Sequence, residues 1–135
     1  MKYISKILIA FALVLSLFTV TNTASASADS FSDYFTSSKW ITRDGVVSLS
    51  VTPKSSGPLI KAPNGNARMV AASKAWTILY NKHKGSSNWK NTASMKAQFE
   101  CHVTMAQSFK TPWNLEPHRT TTSLTETIKK GCNPK

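Results

Sequence analysis

Acidic side chains are scarce in this sequence: six Asp and Glu stand against 17 Lys and Arg, a formal net charge of +11 over 135 residues. Such an imbalance repels basic partners and draws a protein to polyanions. Cysteine is scarcer still, with only Cys101 and Cys132, and the three histidines, at 83, 102 and 118, form no close pair of the H-x3-H type. A disulfide would consume both thiols, so no metal is expected. The G-x-S-x-G nucleophile elbow, the phosphate-binding G-x-x-x-x-G-K-[ST] loop, H-E-x-x-H and the EF-hand loop are all missing, and with them any sign of a cofactor. There is no internal repeat. Beyond Val20 no stretch is long and apolar enough to span a bilayer.

What the sequence does have begins at its N-terminus. Lys2 and Lys6 precede an apolar run from Ile7 to Val20, and Ala26-Ser27-Ala28 follows as an A-x-A cleavage site. This is the plan of a secretory signal peptide over residues 1–28. The alternative, an uncleaved anchor, needs roughly 20 apolar residues. No lipobox cysteine follows the run. Residues 29–135 then form one secreted basic domain, expected to be monomeric, in which 15 basic and six acidic residues give a net charge of +9. Its expected partners are anionic cell-envelope polymers such as wall teichoic acids, membrane head groups, or nucleic acid. Charge kept merely for solubility is the competing explanation. In an exported chain Cys101 and Cys132 are expected to pair, closing a loop whose constraint stabilises by roughly 3.7 kcal/mol. An intermolecular pair, or a free nucleophilic thiol at Cys101, stays open as an alternative.

Asp44-Gly45 between the runs Trp40–Arg43 and Val46–Thr52 predicts a two-residue hairpin with Arg43 facing Val46, Thr42 facing Val47 and Trp40 facing Leu49. Trp40, Val47, Leu49 and Val51 then share one face. Phe31, Tyr34 and Phe35 lie in a polar lead-in and are placed to pack back on the domain. Residues 53–66, rich in Pro, Gly, Ser and Asn, read as an irregular loop. Met69, Ala72, Trp76, Leu79, Tyr80 and His83 form a helical stripe stopped by Gly85. A second helix is expected after a cap at Asn91 or Thr92, with Met95, Phe99, Val103 and Ala106 on one face; the alternation of Phe99, Cys101, Val103 and Met105 also fits a strand. Pro112 and Pro117 bracket a non-helical segment, and Ser123-Leu124-Thr125-Glu126 is a capping box opening a last helix that stops at Gly131. The expected fold class is α+β: an N-terminal β-hairpin packed against two or three short helices, with one disulfide.

Reactive side chains are densest at Glu116, His118 and Arg119, with Glu100 and His102 beside the first cysteine. If the disulfide folds this segment back on the Cys101 element, His102 approaches Glu116 or His118. An imidazole beside a carboxylate, with an arginine to hold an anion, is the minimum for acid–base hydrolysis, which makes His102, Glu116 and Arg119 the candidate catalytic residues. A buried Glu116–Arg119 ion pair that pins the loop is the weightier alternative. Of four tryptophans, Trp40 and Trp76 fall on core faces. Trp89 and Trp113 fall in connections where exposed rings would stack on sugars or bases or sit at a lipid interface. With Asn114 and His118 they are the candidate ligand-binding residues, although packing under a loop is the commoner fate of such rings.

The strings Ser38-Lys39-Trp40-Ile41, Gln98-Phe99-Glu100-Cys101-His102, Trp113-Asn114-Leu115-Glu116-Pro117-His118-Arg119 and Cys132-Asn133-Pro134 resemble a family of small exported bacterial proteins, domain of unknown function 2599. The resemblance covers nearly all of residues 29–135. It implies a secreted single domain and the Cys101–Cys132 pairing, and no activity. His118 falls where the family is expected to vary, which leaves Glu116 and Arg119 the better candidates. The leading expectation is a non-enzymatic extracellular protein that binds an anionic surface or macromolecule, with an antibacterial or envelope-directed role. A small secreted hydrolase, and an inhibitor or partner-binding module with a rigid exposed loop at Trp113, are the alternatives.

Overall fold

A computed structural model describes residues 27–134; most of the expected signal peptide lies outside the described residues. The chain runs α1 (Phe31–Tyr34), β1 (Phe35–Arg43), β2 (Val46–Pro53), α2 (Pro58–Lys61), α3 (Gly65–His83), α4 (Thr92–Cys101), a π-helical turn (His102–Ala106), β3 (Trp113–Leu115) and α5 (Leu124–Lys129). This is an α+β fold.

The hairpin forms in the expected register, with Arg43 opposite Val46, Thr42 opposite Val47 and Trp40 opposite Leu49. Asp44 and Gly45 both take positive φ, 51° and 75°, as a type I′ turn demands. Aromatics of the lead-in pack inward: Tyr34 and Phe35 are buried, and the Phe35 ring meets Phe31 and Phe99. A third strand joins the hairpin. Leu49, Ser50 and Val51 pair with Leu115, Asn114 and Trp113, which gives an antiparallel sheet of order β1-β2-β3. With a strand on either side, β2 is central, and Ser48 and Ser50 are buried as well as Leu49 and Val51. The half-buried alternation of an isolated hairpin is therefore lost in β2.

α3 begins two residues inside the stretch read as loop, because the Asn64 side chain accepts from Ala67 N at 2.9 Å and caps it. The same stretch also contains α2, one helical turn opened by Pro58 at its first position. Ala71, Ala72 and Ala75 bury with Trp76, Leu79 and His83; their small side chains let α3 lie close to its neighbours. Met69, expected on this stripe, is instead exposed.

The ambiguous segment from Met95 to Ala106 is helical. Asn91 occupies the N-cap position at φ 50° but does not cap; its Nδ2 donates to Pro117 O at 2.8 Å. Beyond Cys101 the helix widens to π geometry, and Gln107 N donates to His102 O at 2.8 Å. Ser123 caps α5, accepting from Glu126 N at 3.3 Å. Cys101 and Cys132 are joined, Cα to Cα 5.3 Å, and tie α4 to the segment after α5. The core draws on every layer: Phe35, Leu49, Val51, Leu59, Leu79, Met95, Phe99, Val103, Trp113 and Leu115.

Candidate functional site

Gln98, on α4 and fully buried, organises the region where the reactive residues gather. Its side chain copies a peptide group: Oε1 accepts from Glu116 N at 2.7 Å and Nε2 donates to Glu116 O at 3.0 Å. Its backbone carbonyl, one helical turn before His102, accepts from His102 Nδ1 at 2.7 Å. The Glu116 carboxylate meets Arg119 Nε, and Arg119 Nη1 donates to Pro134 O. The Asn133 amide sits among Glu116 Oε1 and the carbonyls of Asn114 and Cys132. Together with the Cys101–Cys132 bond, these contacts bring three of the four strings singled out in the sequence, those at 98–102, 113–119 and 132–134, into one clamp that fixes residues 132–134 to α4 and β3.

His102 is 1% exposed and lies beside the Trp113 ring, 6.1 Å between centroids. Burial holds its pKa down at about 4; the Gln98 carbonyl works against that, Lys110 adds to it, and Glu116 opposes it. Near neutral pH the ring is uncharged, and its bond to a carbonyl places the proton on Nδ1. It borders a groove of about 270 Å3 whose other walls are Met105, Ala106, Phe109, Lys110, Gly131 and Cys132. Glu116 and Arg119 do not line this groove. They neutralise each other in the clamp, which is the pinning role set against catalysis in the sequence. His102, Glu116 and Arg119 are thus neighbours through Gln98, with only His102 facing an opening.

The candidate ligand-binding residues separate. Trp113 lies in β3 and is fully buried, its Nε1 donating to Gln107 O at 3.0 Å, so no exposed aromatic loop exists there. Trp89 is half-buried in an aromatic cluster with Trp40, Trp76 and Tyr80, centroids 5.6 to 6.4 Å apart, and its Nε1 donates to Thr92 Oγ1. Asn114 pairs with Ser50 in the sheet, its Oδ1 buried without a partner. His118 alone is open, bordering a hollow of about 310 Å3 with Lys90, Asn88 and the hairpin turn.

Two features escape sequence reasoning. Ser38 Oγ lies 2.7 Å from His83 Nε2, a pair 45 residues apart that no spacing rule finds. Burial, with Lys82 second, lowers the His83 pKa. Neither the groove beside His102 nor the hollow beside His118 reaches this pair, and its contact staples β1 to α3. The second is Phe109, 92% exposed, with Met105 at 57%.

Most carboxylates are paired, and most cations are not. Asp29, Glu100, Glu116 and Glu126 pair with Lys74, Lys96, Arg119 and Lys129. Asp33 is bound by Ser30, its Oδ2 accepting from Ser30 N at 2.7 Å, and Asp44 sits in the hairpin turn. Four of the 14 described basic side chains are taken by these pairs; ten have no carboxylate partner among the described residues. No group of three or more His, Cys, Asp or Glu able to hold a metal occurs among the described residues. No described helix is long and apolar enough to cross a membrane.

Two mycobacterial proteins are similar to this chain: the uncharacterized proteins Mb0487 of Mycobacterium bovis and Rv0477 of Mycobacterium tuberculosis, each 34% identical over 99 residues. The match covers 71% of this chain and 62% of each relative, so the chain spans less than two thirds of their length. No solved structure matches. A family model matches residues 35–135, from the first residue of β1 through the disulfide and the clamp, and the chain therefore belongs to the family described as protein of unknown function (DUF2599).

Proposed function

We propose that this protein is exported, loses residues 1–28, and acts outside the cell as a cationic binding protein for an anionic surface or polymer of the cell envelope. The observation that carries this reading is the imbalance of partners: the few carboxylates are mostly spent on local ion pairs, and ten cations remain unpaired among the described residues. A surface of this kind attracts polyanions over about a Debye length, roughly 10 Å at 0.1 M salt. Exposed Lys39 and Lys90 serve contact rather than fold, since neither is buried or ion-paired. The clamp and the disulfide suit an extracellular setting, where a small core is stiffened by a covalent tie.

Co-sedimentation with isolated cell walls and with anionic vesicles, across a salt series, tests the proposal. Binding should weaken steeply as salt rises. Retention that is unchanged from low to high salt, or no retention at low salt, overturns it.

A further inference from the structure

We propose that the turn following the π-helical segment is a membrane-insertion element, by which the protein enters the interface of an anionic bilayer; this rests on the anionic-surface reading and narrows it to lipid. Phe109 stands at the tip of the turn, 92% exposed, on a domain that buries Phe35, Phe99 and Trp113 completely or nearly so. Removing a phenyl ring from water is worth far more than any surface contact it makes here. With the exposed Met105 side chain in the same groove, the ring forms a contiguous apolar patch, and such a patch marks a partner surface.

The ring is presented by an ordered turn. Phe109 N donates to Ala106 O at 2.9 Å, and Gln107 N closes the π turn on His102 O. The Gln107 carbonyl is in turn held by the buried Trp113 indole. Gln107 itself sits at φ 41°, a conformation that non-glycine residues adopt at a cost and that aims the following residues outward. The apolar character continues behind the tip. Met105 is more than half exposed and shares the groove with Phe109 and Ala106, and Met69 reaches the same helix, its sulfur 3.9 Å from Thr104 Oγ1.

Charge identifies the occupant as lipid. Lys110 follows Phe109 directly and lines the groove; Lys130 precedes Gly131, another lining residue, and both lysines are exposed without an ion pair. Apolar residues at a tip with lysines beside them match a bilayer interface, where rings enter the acyl boundary and ammonium groups meet phosphates. No acidic residue lines the groove.

The test compares disulfide-closed wild-type protein with Phe109→Ser and Lys110→Ala, each against three targets: vesicles of phosphatidylglycerol with phosphatidylcholine, vesicles of phosphatidylcholine alone, and a polyphosphate matrix. Phe109→Ser should weaken partition onto the anionic vesicles by about ten- to a hundredfold, from the transfer of one phenyl group. It should leave polyphosphate retention and thermal stability unchanged. Lys110→Ala should weaken anionic-vesicle binding about fivefold. Equal vesicle binding by Phe109→Ser and wild type overturns the insertion element while the anionic reading stands, provided that polyphosphate is still retained. Failure of the wild type on polyphosphate and anionic vesicles alike overturns both. A wild-type dimer that Phe109→Ser dissociates also overturns it, since a second copy would then cover the ring.

Discussion

Lowering the pH from 7 to 4 should cost this fold about 3 kcal/mol through His102 alone. The ordinary pKa of an exposed histidine, 6.5, falls to about 4 in the folded chain, first because the ring is buried, beside Trp113. The unfolded chain thus takes up a proton that the folded chain refuses. Stability from this group is present in full above about pH 6.5 and drains away as pH falls toward 4, where the folded form at last accepts the proton. Integrating proton uptake between these values gives roughly 3 kcal/mol. Urea unfolding with the disulfide intact reads this directly: with a slope of about 1 to 1.5 kcal/mol/M, the midpoint moves by roughly 2 to 3 M. His83 titrates in the same direction, so the decisive measurement is a difference. His102→Asn keeps a donor near the Nδ1 position and removes the titration. The variant's loss between pH 7 and pH 4 should be smaller than the wild type's by about that amount. Equal losses would refute the account of His102 as a neutral, desolvated ring.

Gln98→Leu should destabilise by about 2 to 5 kcal/mol, because the buried N–H and C=O of Glu116 both lose their partner; urea unfolding checks it, and a loss under 1 kcal/mol would show that water takes over. Two glycines should respond oppositely to alanine in thermal unfolding. A Cβ on Gly57 meets Asp33 O at 2.9 Å and Lys54 O at 3.1 Å, backbone atoms that cannot give way, so Gly57→Ala should cost about 1 to 3 kcal/mol. Gly65 opens α3 with nothing within 4 Å, and Gly65→Ala should gain about 0.4 to 1 kcal/mol.

The hairpin and helices were legible because their signals are local. Asp44-Gly45 carries its own turn chemistry, the α3 stripe needs only its own period, and Ser123 caps α5 three residues before Glu126. β3 was not legible: three residues between prolines show no usable periodicity, and their partner strand lies more than 60 positions upstream. That pairing decides the environment of Trp113, which polar neighbours make look exposed in sequence. Phe99 to Met105 carried both periods at once, and the helical one holds, with Met95, Phe99 and Val103 buried together and Ala106 packed against them. In the candidate site the Glu116–Arg119 pair was readable as two opposite charges close together in one short segment. Gln98, the residue that ties it to His102, was not, since an amide acting as a strand edge leaves no mark in sequence. Phe109 was missed for a different reason: only the finished fold shows that no surface is left to receive it.

The placement of Gln98, Arg119 and Cys101 also sets an order in time. Each waits for a group made later in synthesis: Gln98 for the backbone of Glu116, Cys101 for Cys132, Arg119 for the carbonyl of Pro134. A chain emerging N-terminus first can zip its hairpin at once, but α4 stays without its lock until residues 132–134 appear. A nascent chain shorter than that should remain open to proteases, and folding should complete in a single late step.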